Sequence, residues 1–119
     1  MNTSELTGAA LDWAVAKCEY PELVWGETIG LSAHARDLIV IPQFKEPKCW
    51  WCPSTDWKQG GPIIEREGIE LLCEILGFRW VAIPQKGPEW RGPTPLIAAM
   101  RCYVASKLGD EVDIPEELV

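Results

Sequence analysis

Apolar positions recur at helical spacing near both ends of the chain and alternate between them. Near the N-terminus, Leu11, Val15 and Cys18 fall on one face at spacings of four and three. Ala9, Ala10, Ala14 and Ala16 favour helix, Thr7 can cap, and Pro21 forbids continuation. This predicts a helix over about 7–18, with Trp13 widening its buried stripe. Near the C-terminus, Ile97, Met100, Val104 and Leu108 line one face, flanked by Leu96 and Tyr103. Thr94 caps, Pro95 takes the first helical position, Lys107 sits in the last turn and Gly109 follows as the stop. This predicts a helix over about 95–108.

The intervening pattern is strand-like. Leu23-Val-Trp25 and Leu38-Ile-Val-Ile41 read as short strands, with turns at Gly26 and Gly30. Residues 69–76 could form a helix, but a hairpin turning near Gly77 is preferred. Phe78, Trp80 and Ala82 alternate with Arg79, Val81 and Ile83, as in a half-buried strand. From Pro42 to Pro62 the chain reads as a loop punctuated by Pro47, Pro53, Gly60 and Gly61. A short helix of about 62–67 is expected to open at Gly61-Pro62, because proline suits a first helical position. Glu65 would then complement the start of its dipole, and Gly68 would end it as a left-handed cap. The expected class is α+β: a small, mostly antiparallel sheet packed by two main helices and this short one. Residues 1–119 are expected to form a single domain. An acidic arm of about 110–119, interrupted by Pro115, should pack loosely against it.

Composition narrows the function classes. With 119 residues and 47% hydrophobic positions, the chain can bury one core and does not have a disordered composition. Its 11 basic residues face 18 acidic ones, a net charge of −7. That balance argues against direct nucleic-acid binding and against docking to an anionic membrane, both of which need clustered Lys and Arg. A basic partner remains compatible with it. No apolar run reaches transmembrane length, and the N-terminus lacks a basic region followed by an apolar stretch. A cytoplasmic location is therefore expected. The five cysteines, an odd number, suit free thiols better than a disulfide framework.

Three constellations compete for chemistry. Cys49-Trp-Trp-Cys52 has the spacing of a zinc-binding or thiol-exchange pair. Zinc needs further ligands, and Cys18, Cys73, Cys102 and His34 are all isolated in the sequence. Cys18 and Cys102 lie in helices and read as small core residues. A redox pair normally opens a helix, whereas this one lies in a Pro-rich loop. Two incidental thiols are the preferred reading, and no metal or cofactor is expected. Seven tryptophans are many for this length. Trp13 and Trp80 have core explanations, but Trp50, Trp51, Trp57 and Trp90 fall in loop-like segments. Exposed tryptophans anchor binding surfaces, whereas buried ones would close the core under the loop.

The third constellation is Ser54-Thr-Asp-Trp-Lys-Gln-Gly-Gly-Pro62. A helix start could hold an anion there, although Asp56 would repel it and no Gly-rich phosphate motif is present. Ser54, Thr55 and Asp56 can equally cap backbone groups. The only histidine is His34, which has no assignable partner, and Asp56, Glu65 and Glu67 carry no acid–base signature. A catalytic role is not favoured. The candidate binding residues are Trp50, Trp51, Asp56, Trp57, Gln59, Gly60, Gly61 and Pro62.

Three segments together resemble a known family. They are Glu5-Leu-Thr-Gly-Ala-Ala-Leu-Asp-Trp-Ala-Val-Ala16, Pro53-Ser-Thr-Asp-Trp-Lys-Gln-Gly-Gly-Pro-Ile-Ile-Glu65, and the stretch from Gly92 through Pro95-Leu-Ile-Ala-Ala-Met-Arg-Cys-Tyr103 to Val112. In this order the chain resembles the NinX-like family of small proteins from lambdoid phages and enterobacterial prophages. The resemblance implies a phage accessory protein in the host cytoplasm and supplies no catalytic residue. The family pattern includes a match to Pro53-Ser-Thr-Asp-Trp57 and Gln59-Gly-Gly-Pro62, but not the Cys49-Trp-Trp-Cys52 tetrapeptide. The expectation is a non-catalytic binding protein that engages a host or phage macromolecule through the Trp-rich loop. The alternatives are a small-ligand protein or enzyme with a site near Asp56 and Gly60-Gly61-Pro62, and a nucleic-acid accessory factor. The oligomeric state is left open.

Overall fold

Thr94 and Pro95 start the helix around which the rest of the fold is built. The Thr94 hydroxyl accepts from the Ile97 N–H at 3.1 Å, and proline occupies the first turn, where no N–H is needed. The computed structural model describes residues 1–21 and 51–118. The expected strands at Leu23-Val-Trp25 and Leu38-Ile-Val-Ile41, the Gly26 and Gly30 turns, His34, Cys49 and Trp50 lie outside these residues.

Within them, the N-terminus makes a 3-10 turn at Thr3–Glu5, followed by α1 (Gly8–Glu19). Next come α2 (Trp57–Glu67), β1 (Glu70–Glu74), β2 (Arg79–Ile83), β3 (Trp90–Gly92) and α3 (Pro95–Leu108). A second 3-10 turn, Glu116–Leu118, closes the described chain. The strands form one antiparallel sheet in the order β1-β2-β3. This is a small α+β fold, with the expected antiparallel sheet and, among the described residues, three α-helices.

α3 is buried on more sides than its predicted stripe required. Leu96, Ala98, Ala99, Met100, Cys102, Tyr103 and Val104 are all buried, while Leu108 is 36% exposed. The reason is its central position: α3 touches α1, α2 and all three strands. Small residues at Ala98, Ala99 and Cys102 let those neighbours approach closely. α1 is equally enclosed, with every residue from Ala10 to Ala16 buried. Thr7 stands at its N-cap, but its side chain makes no capping bond.

The hairpin forms as expected. Cys73 lies opposite Trp80 and Glu74 opposite Arg79, so the turn falls at 75–78. Trp80 and Ala82 pack onto the core, with Leu71 beside them. β3 was not expected. Trp90, read as a loop residue, lies opposite Ala82 and packs against the core. Flanking Pro88 and Pro93 hide this three-residue strand from pattern reading, because only its pairing with β2 defines it.

The short helix starts five residues earlier than the proline suggested. Asp56 is the N-cap, its carboxylate accepting from the Lys58 N–H at 3.0 Å, and Trp57 is the first helical residue. Pro62 therefore lies inside α2, and Glu65 belongs to its last turn rather than its first. The end is as expected. Gly68 takes φ 65, ψ 39, and the Ile69 N–H reaches back to the Ile64 carbonyl at 3.1 Å.

Several bonds tie residues far apart in sequence, among them a cluster at Glu19 and a pair at the chain ends. The Arg66 guanidinium straddles the Glu19 carboxylate at 3.1 and 3.0 Å, and the Tyr103 hydroxyl donates to the same carboxylate at 2.8 Å. That cluster joins α1, α2 and α3. At the chain ends, the Thr3 N–H donates to the Asp110 carbonyl at 2.8 Å and the Val112 N–H to the Met1 carbonyl at 2.9 Å. Val112 is buried, and Ile114 and Leu118 pack against the core.

Candidate binding surface

The segment leading into α2 is anchored from below by α1. Trp51 is 8% exposed and sits in the core, its ring tilted against Tyr20 at a centroid distance of 6.3 Å. Its indole N–H donates to the Asp12 carbonyl at 2.9 Å. The Ser54 N–H donates to the Asp12 carboxylate, also at 2.9 Å. Asp12 is buried, and desolvation pushes its carboxyl up to about 6, with the Ser54 N–H bond partly offsetting that rise. One aspartate thus holds both ends of the turn 51–54.

The turn then closes on itself. The Cys52 carbonyl accepts from the Thr55 and Asp56 N–H groups at 3.0 and 2.8 Å, while the Cys52 N–H donates to the Gln59 side-chain oxygen at 2.6 Å. Gly60 is buried beneath it. A Cβ there would lie 2.5 Å from the Pro53 oxygen and 2.6 Å from a Leu96 methyl. Trp51, Gln59 and Gly60, all candidates for contact with a partner, are thereby occupied in building the corner. Asp56 caps α2. Trp57 is 53% exposed, Pro62 is exposed and Gly61 half-buried, so these remain on the surface.

Among the described cysteines, Cys102 is buried, Cys18 and Cys52 are half-buried and Cys73 is exposed. Burial holds the Cys52 thiol above its ordinary value and pushes Cys102 up to about 11. Among the described residues, no group of three His, Cys, Asp or Glu side chains could hold a metal ion.

Among the described residues, the most exposed of the large apolar side chains lie on the hairpin. Ile75 is 77% exposed, Leu76 96% and Phe78 92%. Phe78 also adopts φ 52, a left-handed conformation that a bulky residue rarely takes. Trp80 lies opposite Gly92, two residues before the Thr94 cap, so the hairpin turn and the start of α3 share one end of the fold. Trp57 belongs to that end as well. It lines a recess of about 250 Å³ with Thr55, Pro95 and Ile97.

Sequence reasoning overlooked Asp12 and the hairpin tip, although each left a signal. Asp12 interrupts a stretch of α1, residues 9–16, otherwise made of Ala, Leu, Trp and Val. The turn 75–78 offers Ile, Leu and Phe where turn chemistry favours polar residues.

No helix among the described residues is long and apolar enough to cross a membrane. No curated protein matches the chain. A family model does, over residues 2–107, which span the three strands, α1, α2 and all but the last residue of α3. The chain belongs to the family described as Bacteriophage P22, NinX.

Proposed function

We propose that this phage accessory protein is a non-catalytic binding protein, acting in the host cytoplasm. It engages a host or phage protein through the end of the fold that carries the 75–78 turn and Trp57. The observation behind this reading is the exposure of Ile75, Leu76 and Phe78 on one tight turn. Three large apolar side chains held in water at a hairpin tip are the mark of a surface that another protein covers. The Trp-rich loop contributes Trp57 to that surface, while Trp51 supports it from inside.

The small-ligand reading near Asp56 draws less support. Asp56 is engaged as a helix cap, and the space at Gly60 is filled by Pro53 and Leu96.

The test is affinity capture from infected cells with wild type and a Leu76→Ser/Phe78→Ser variant. The variant should keep the wild-type circular dichroism and melting temperature and lose a partner that wild type retains. Recovery of the same partner by both proteins would exclude the hairpin tip as the docking element.

A further inference from the structure

Arg101 is a charge in the middle of the central helix, 9% exposed, in a run otherwise made of Ala, Met, Cys, Tyr and Val. Its Nε–H donates to the Leu6 carbonyl at 2.9 Å, and Nη1 donates to the Arg91 carbonyl at 2.8 Å. Both acceptors are neutral. No carboxylate among the described residues lies within 4 Å of the guanidinium, whereas the neighbouring Arg91 is paired with Glu74 and Glu89, and Arg79 with Glu74. Burying a cation without an anion is costly, and a protein seldom retains one for the sake of two carbonyl contacts that a neutral amide could make.

The same arginine lines an open groove of about 770 Å³ between the N-terminal turn, the start of β2 and β3. Trp90 and Pro93 give this groove an apolar wall, and Arg79 and Arg91 stand on it beside Arg101. Glu89 and Asp110 also border it, Glu89 being held by Arg91 at 2.8 Å. A guanidinium carries five N–H groups. The two carbonyl bonds use one on Nε and one on Nη1, and they fix the plane of the group. Among the described residues, Nη2 and the second Nη1 hydrogen have no partner, which leaves N–H groups able to receive a planar or tetrahedral oxyanion.

We propose that Arg101 anchors a binding site for a small organic oxyanion, a carboxylate or a phosphate monoester, whose aromatic or apolar body lies against Trp90 and Pro93. The oxyanion supplies the missing counter-charge. The arginine needs no rearrangement to receive it, because its plane is already set by Leu6 and Arg91. The groove meets the hairpin-tip docking surface at Phe78, which lines both, but its anchor, Arg101, is not part of that surface.

The experiment is a titration of the full chain followed by NMR at neutral pH and low salt, reading the Arg101 Nε–H and Trp90 indole N–H signals. Benzoate and phenyl phosphate are the anionic probes, and benzyl alcohol is the neutral control. At least one anion should give saturable shifts of both signals at concentrations up to about 20 mM. Benzyl alcohol should give none, and added salt should weaken the effect. The stronger of the two anions identifies the carboxylate or the phosphate as the preferred group. Arg101→Gln should weaken binding at least about tenfold, as expected for loss of a charge-assisted hydrogen bond. If Arg101→Gln does not fold, the wild-type titration still decides. Absence of saturation with both anions, equal shifts with the neutral control, or shifts that leave Arg101 unmoved would overturn the proposal.

Discussion

The carboxylate of Asp12 accepts the backbone N–H of Ser54 at 2.9 Å, so a charge buried in α1 holds the turn that leads into α2. That bond carries a definite pH signature. Asp12 titrates near 3.8 when unfolded and about 6 when folded, because burial disfavours its charged form more than the bond favours it. Between those values the native state binds more protons, so the Asp12 contribution to stability falls as pH rises and is level above about 6. The difference is worth at most about 3 kcal/mol. Asp12→Asn, which stays neutral, should gain stability relative to wild type as urea unfolding is repeated from pH 4 to pH 7. A loss over the same range would mean that the fold favours the anion.

Trp51 and Trp57 should behave oppositely on truncation. Trp51→Ala empties part of the core and removes the donor to the Asp12 carbonyl, with an expected cost of about 3–5 kcal/mol. Trp57→Ala removes a largely exposed ring and should change stability by no more than about 0.5 kcal/mol. Denaturant midpoints of the two variants, measured side by side, check this contrast.

Pro62 should prove to be a helix interior residue. It lacks the N–H that would reach the Lys58 carbonyl, and it is exposed. Pro62→Ala should therefore stabilise the protein by about 1–2 kcal/mol, the helix gain exceeding the entropy restored to the unfolded chain. Gly60→Ala should do the reverse and lower the melting temperature, because its methyl would meet the Pro53 backbone. A destabilised Pro62→Ala protein would point to a helix that begins at the proline after all.

Phe78 sets stability against binding. Relieving its left-handed strain with Phe78→Gly should raise stability by about 1 kcal/mol, read as a higher melting temperature. On the proposed function the same variant loses its partner. A variant that is less stable than wild type would show that the ring packs where it now stands exposed.

The elements that were legible in the sequence carry their own punctuation. α3 is bracketed by Thr94 and Pro95 at one end and Lys107 and Gly109 at the other, and the hairpin is marked by Gly77 before the alternating run 78–83. α2 was misplaced because Gly61-Pro62 is a stronger local start signal than Asp56, although Asp56 makes the capping bond. β3 depends on partners in β2, which no local pattern reveals. The candidate surface was legible only in part, for the same reason. That Trp51 turns inward depends on a partner, Asp12, 39 residues away on α1. Arg101 was hidden because an arginine in a helical pattern reads as a solvated position until its neighbours are known.

The tie between Thr3 and Asp110 has a consequence in time. The partner of the Thr3 N–H lies 107 positions later (110 − 3), so the first turn of the chain has no place to settle until that carbonyl has been made. At synthesis rates of roughly 5–20 residues per second, the delay is about 5–20 s. During it, Leu6 and the face of α1 that becomes core must wait in the cell without α3 to cover them.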